Sequence, residues 1–118
     1  MKIAVTSKGE GPGSEVDQRF GRCDFFLVFD RERRPIHLVR NEGSESTEGA
    51  GIRAASALND MGVSVLITGN IGPNAYRSLA AAGIEVYVGA SGTVEQALTE
   101  YSKGALEKAE GPTSMGHH

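Results

Sequence analysis

The chain has 118 residues, enough for one domain with a real core and too few for two. Twelve basic against fifteen acidic residues leave a formal charge of -3, without the basic excess of a nucleic-acid binder, so nucleic acid is disfavoured as a partner. No apolar run reaches membrane-spanning length, and Met1–Thr6 is too short and too soon polar for a signal peptide, so the expectation is a cytoplasmic protein with no membrane partner.

The β-branched stretch around Ile3 and Val5 predicts a first strand over Lys2 to Ser7, broken by the glycines and proline of Lys8 to Gly13. A long loop then runs through Asp17-Gln18-Arg19-Phe20-Gly21-Arg22-Cys23. Phe25 to Phe29, the most continuously apolar run, predicts an interior second strand. A short charged turn from Asp30 to Pro35 makes the third strand, Ile36 to Arg40, antiparallel to it, and its weaker alternation suits a sheet edge.

Asn41 to Gly49 is polar and aperiodic, a loop. Ala54, Ala55, Leu58 and Met61 fall at helical spacing, which predicts a helix over Ala50 to Met61 closed by Gly62. Val63 to Ile67 is apolar on both alternating sets, as a strand buried on both faces must be. It stops at Gly69-Asn70-Ile71-Gly72-Pro73-Asn74, where Pro73 suits the first helical position and Gly72 the N-cap. This second helix runs to Ala82 with Gly83 as its stop, and Ile84 to Val88 predicts a fifth strand. Ser91 and Gly92 lead into a third helix, whose Thr93 and Gln96 stand at capping-box spacing and whose apolar face is Val94, Ala97, Leu98 and Tyr101. The domain is expected to span residues 1–103, with residues 104–118 a flexible tail ending in His117 and His118, a tag remnant or a mobile end.

This order argues for an α/β domain, a mixed sheet between helices, with the first two helices on one face and the third on the other. The carboxyl ends of the parallel strands then share one rim, where ligands of open α/β sheets bind. That rim receives the Lys8–Cys23, Asn41–Gly49, Gly69–Gly72 and Gly89–Gly92 loops and faces three helix N-termini, which attract anions. From pattern alone Gly69–Asn74 is first an ordinary β-to-α turn. Asn70 and Asn74, and the second loop Ser91-Gly92-Thr93, tilt it towards a binding wall. It lacks the Lys-Ser/Thr ending of a P-loop and the glycine spacing of a dinucleotide fingerprint.

Arg19 and Arg22 can donate to an anion in their fork geometry or pair with Asp17 and Asp24, and the two readings are even. Cys23 is the candidate metal ligand, a soft donor for a sulfide cluster, although an isolated cysteine before an apolar strand is more often a small buried hydrophobe. No Cys pair exists for a zinc or iron–sulfur site, and no Ser-His-Asp arrangement or carboxylate pair is visible, so catalysis is poorly supported.

Lys2-Ile3-Ala4-Val5-Thr6, Asp17-Gln18-Arg19-Phe20-Gly21-Arg22, Thr68-Gly69-Asn70-Ile71-Gly72-Pro73-Asn74-Ala75 and Gly83-Ile84-Glu85-Val86-Tyr87 occur in the order and with the gaps of the dinitrogenase iron–molybdenum cofactor biosynthesis family, which the chain resembles from Met1 to Lys103. Ser91-Gly92-Thr93-Val94 and the glycine–asparagine loop look most like its orange protein branch. The resemblance implies a three-layer ribonuclease-H-like fold, a five-stranded mixed sheet in the order 3-2-1-4-5 with strand 2 antiparallel. It implies a non-catalytic carrier or assembly factor for an anionic molybdenum-containing metal–sulfur cluster, iron–molybdenum or molybdenum–copper. Such a cluster can be absent from the isolated protein, and its partners would be donor or acceptor proteins. The site residues implied are Arg19, Arg22, Gly69, Asn70, Ile71, Gly72, Asn74, Ser91, Gly92 and Thr93. Two alternatives stay open: an enzyme acting on a phosphorylated small molecule, and a regulatory or scaffold module.

Overall fold

The computed structural model describes residues 1–41 and 49–113. Its order is β1 (Ile3–Ser7), β2 (Phe25–Phe29), β3 (Pro35–Arg40), α1 (Ala50–Asp60), β4 (Val65–Ile67), α2 (Pro73–Ala81), β5 (Glu85–Val88), α3 (Val94–Ser102) and β6 (Glu107–Lys108). One mixed sheet runs β3-β2-β1-β4-β5-β6. β1, β4 and β5 are parallel, whereas β2 is antiparallel to both β1 and β3.

Alternation along the central strands divides the core in two, because successive side chains leave a strand on opposite faces. Ala4, Phe26, Val28, Leu66, Val86 and Val88 lie on the side of Ala54, Leu58, Ala75 and Leu79, the inward residues of α1 and α2. Ile3, Val5, Leu27, Phe29, Val65 and Ile67 lie on the other, under Val94, Ala97 and Leu98 of α3. The expected placement of two helices against one follows from this. Gly62 and Gly83, both near φ 78°, end α1 and α2 where a side chain would strain a left-handed turn.

Two sequence-based expectations change. Among the described residues the sheet has six strands, not five, and residues 104–113 do not hang free. β6 pairs antiparallel with β5, and the N–H of Ala109, 8% exposed, donates to the Val86 carbonyl at 2.8 Å. The physical reason is the otherwise open outer ladder of β5, whose backbone groups take the nearest chain available. Two exposed residues give no alternation to read. His117 and His118 lie outside the described residues, as does most of the loop after Asn41.

Candidate functional site

β1, β4 and β5 end on one rim, and the β1–β2 loop is laced across it. Asp17 N–H donates to the Thr6 carbonyl at 3.0 Å, Val16 N–H to Gly92 at 2.9 Å, and Asn70 N–H to Gln18 at 2.8 Å, while Gln18 Nε2 reaches the Ala90 carbonyl at 2.8 Å. Arg19 and Asn70 form a parallel bridge, and Glu15 and Thr93 an antiparallel one. The loop therefore joins both glycine loops to the first strand.

The Arg19-Phe20-Gly21-Arg22 segment has a division of labour set by packing. Phe20, 2% exposed, meets Phe26 with ring centroids 5.7 Å apart and anchors the loop in the core. Gly21 lies against α1, where an added Cβ would stand 2.8 Å from the Gly51 nitrogen. A Cβ on Gly51 would stand 2.8 Å from Cβ of Ala75, so the first turns of α1 and α2 pack side by side under the segment. Arg19 and Arg22 remain exposed on either side.

Asp17, 2% exposed, accepts from the Arg19 backbone N–H at 2.9 Å and from Arg19 Nε at 3.3 Å. The pairing foreseen for Arg19 forms, and it holds the guanidinium while leaving both terminal nitrogens to donate. Asn41 fastens the other end of the segment. Its Nδ2 donates to the carbonyls of Gly21 at 3.1 Å and Cys23 at 2.9 Å.

Gly69 is required by contact, since a Cβ there would lie 2.8 Å from Cα of Gln18. Asn70 and Asn74 are both exposed. The Asn70 side-chain amide has no protein partner among the described residues, and Asn74 Oδ1 accepts from Arg77, which leaves the Asn74 amide nitrogen as a donor. Ile71 is placed differently. Its side chain is 1% exposed, its N–H donates to Thr113 Oγ1 at 2.8 Å, and its carbonyl accepts from the Thr113 N–H at 2.8 Å. Ile71 is thus an architectural member of the rim.

The three helix N-termini are not equivalent. Val94 N–H donates to Ser14 at 2.9 Å, Glu95 N–H to Pro12 at 3.0 Å, and Gln96 N–H to Thr93 Oγ1 at 3.1 Å, in a complete capping box with Glu95 in the first turn. α3 has spent its donors on the protein. Gly92, at φ 75°, turns the chain into that box, and Ser91 and Gly92 line a groove with Glu95 and Lys103. α1 and α2 begin at Gly49 and Gly72, and among the described residues neither start has a side-chain cap or an acidic residue in its first turn, so each contributes the positive end of a helix to the rim.

Cys23 is fully buried, and its thiol is pushed up to about 12 by burial first and by the charge of Asp17 next. A metal ligand must be the thiolate, which this environment opposes. No group of three His, Cys, Asp or Glu residues that could hold a metal ion occurs among the described residues. What α1, α2, Asn70, Asn74, Arg19 and Arg22 offer is a set of hydrogen-bond donors and positive charge for an anion. Sequence reasoning missed Asn41, Gly21 and Gly51 as its supports. A buried polar residue after a strand is a visible signal for Asn41, whereas glycine contacts between distant segments leave none.

The family profile described as "Dinitrogenase iron-molybdenum cofactor" matches residues 1–104. An uncharacterized protein of Methanocaldococcus jannaschii is 31% identical over 113 residues, covering 93% of this chain and 92% of that protein. Among solved structures, the apo form of the orange protein from Desulfovibrio gigas is 40% identical, with a TM-score of 0.91 and 96% of each chain covered. A NifB candidate from Thermotoga, solved by NMR, is 34% identical, with a TM-score of 0.84 and 98% of each chain covered. The chain belongs to the dinitrogenase iron–molybdenum cofactor family.

Proposed function

We propose that this chain binds and carries an anionic molybdenum-containing metal–sulfur cluster without turning over a substrate. The cargo sits on the rim over the first turns of α1 and α2, between Asn70 and Asn74 on one side and Arg19 and Arg22 on the other. The observation that carries this reading is the packing of two uncapped helix N-termini through Gly51 and Ala75, directly under the arginine segment. The outer sulfurs of such a cluster accept hydrogen bonds and spread negative charge, so several donors along the rim hold it without a thiolate. Family membership and the likeness to an orange protein supply the words molybdenum and cluster; the rim's own chemistry supplies only an anion.

The cargo class includes the iron–molybdenum cofactor, a precursor of it, or a molybdenum–copper sulfide cluster, delivered by donor proteins and passed to acceptors in the cytoplasm. We read the β3-β2-β1-β4-β5 part of the sheet as ribonuclease-H-like and do not carry nuclease activity over with it. The experiment is anaerobic reconstitution with tetrathiomolybdate and copper, then desalting and visible absorption. Retained colour that follows the protein is expected. Colourless protein contradicts the reading, and turnover of a phosphate-ester panel lost on Arg22→Ala replaces it with the enzyme alternative.

A further inference from the structure

β3 is an outer strand of the sheet, and Pro35 to Leu38 and Arg40 are exposed along it. An open row of backbone N–H and C=O groups accepts another strand, which is why natural edges are ordinarily blunted. Here the edge adjoins an apolar shelf. α3 packs chiefly over β1 and β4, and among the described residues no helix packs extensively on β2 or β3. Leu27, Phe29, Pro35, Ile36 and Leu38, with Pro12, His37 and the carboxylate-bearing Glu10 beside them, line a groove of about 200 Å³ there, with Ile36 39% and Leu38 49% exposed. The register slips between Val28 and Phe29, which leaves Ile36 without a cross-strand partner.

Positive charge brackets the shelf. Leu38 stands opposite Leu27 and Arg40 opposite Phe25, so Leu38 and Arg40 share the α3-side face, and the Arg40 guanidinium lies 5.5 Å from the Phe25 ring centroid. At the other end the turn carries Arg31, Arg33 and Arg34. Arg34 is paired with Asp30 and Glu32, and Arg33 reaches the Thr99 hydroxyl of α3 at 3.2 Å. From Asp30 to Arg40 four arginines face two carboxylates, a net of +2 in a chain whose formal charge is -3.

We propose that the β3 edge docks an extended segment of a partner protein, added as a seventh strand, with acidic residues at its ends and apolar residues between them on one face. Main-chain bonds give the affinity, the shelf takes apolar side chains two residues apart, and Arg40 and the arginine turn select the acidic flanks. A second copy of this chain is the poorer occupant: antiparallel pairing of β3 with itself sets Arg40 of one copy beside the arginine turn of the other.

The test uses the whole chain and a capped peptide of about seven residues, the length that spans β3 at roughly 3.3 Å per residue. It has glutamate at both ends and valine at its two inward positions, and a control carries lysine at both ends. Expected are amide shifts confined to Ile36–Arg40 and their β2 partners, at least about tenfold weaker binding of the lysine peptide, and an equal loss on Leu38→Asp. Arg40→Glu should favour the lysine peptide. Unchanged shifts away from β3 establish that the variants are folded. Absence of binding, shifts elsewhere, or equal binding of the two peptides overturns the proposal, as does a concentration-dependent dimer abolished by Leu38→Asp.

Discussion

Cys23 and Asp17 lie at the root of the arginine segment and set its chemistry from below. The folded-state pKa of Cys23 stands at about 12, above its ordinary 9.0, so the folded chain holds that proton more tightly than the unfolded one. The resulting stabilisation is whole below about pH 9 and is lost as pH climbs towards 12, at about 1.4 kcal/mol per unit. Urea unfolding of the wild type and Cys23→Ala should therefore give a stability difference that is flat up to about pH 9 and then shifts against the wild type. A difference constant to about pH 10 would mean that the thiol titrates normally. Cys23→Ala should also keep the cluster, because burial and the charge of Asp17 disfavour the thiolate that a metal would need. Gly69→Ala is the steric counterpart. Its Cβ meets the Gln18 backbone at 2.8 Å, so equilibrium unfolding should report a loss of about 1–3 kcal/mol, and an unchanged midpoint would show that the loops separate freely.

At the scale of elements, α3 differs from the α1–α2 pair in having a complete capping box at its start. Thr93→Ala removes the capping box and should cost about 1 kcal/mol in denaturant unfolding while leaving cluster retention unchanged. Asn70→Ala should do the opposite, with stability within about 0.5 kcal/mol and weaker retention, because its exposed amide holds nothing among the described residues. If both variants lose the cluster equally, the Ser91 loop belongs to the site and the division between helices fails. Thr93 and Gln96 announced the box at their spacing, yet the sequence carries no sign that the carbonyls of Ser14 and Pro12 take the remaining N–H groups, since those bonds join distant segments. The helices were legible because each buries a periodic face, Leu58 and Leu79 on one side and Val94 and Leu98 on the other, and β1, β2 and β4 because each carries a continuous apolar run buried on both faces. For the same reason the Arg19–Asp17 pair could be foreseen from adjacency, whereas Asn41 as the clasp of Gly21 and Cys23 could not.

Among the described residues β6 closes one edge of the sheet and β3 is the outer strand at the other. β6 and the strap to Thr113 cover β5 and end on the Ile71 backbone, inside the loop that carries Asn70. Glu107 and Lys108 are exposed and too few to show a period, so this edge was invisible in the sequence. Removing residues after Gly104 should free the β5 ladder and the Ile71 N–H together. Lower stability, by at least about 1–3 kcal/mol, and concentration-dependent association measured by light scattering are expected. A truncated chain as stable and monodisperse as the full one would make the strap ornamental. The central claim, that the rim over α1 and α2 holds an anionic molybdenum–sulfur cluster through donors and charge, rests most directly on the molybdenum-to-protein ratio after anaerobic reconstitution and desalting, compared between the wild type and a folded Arg19→Ala, Asn70→Ala variant. The account predicts near-stoichiometric metal in the wild type and at least about tenfold less in the variant; equal ratios in the two proteins, or none in the wild type, would contradict it.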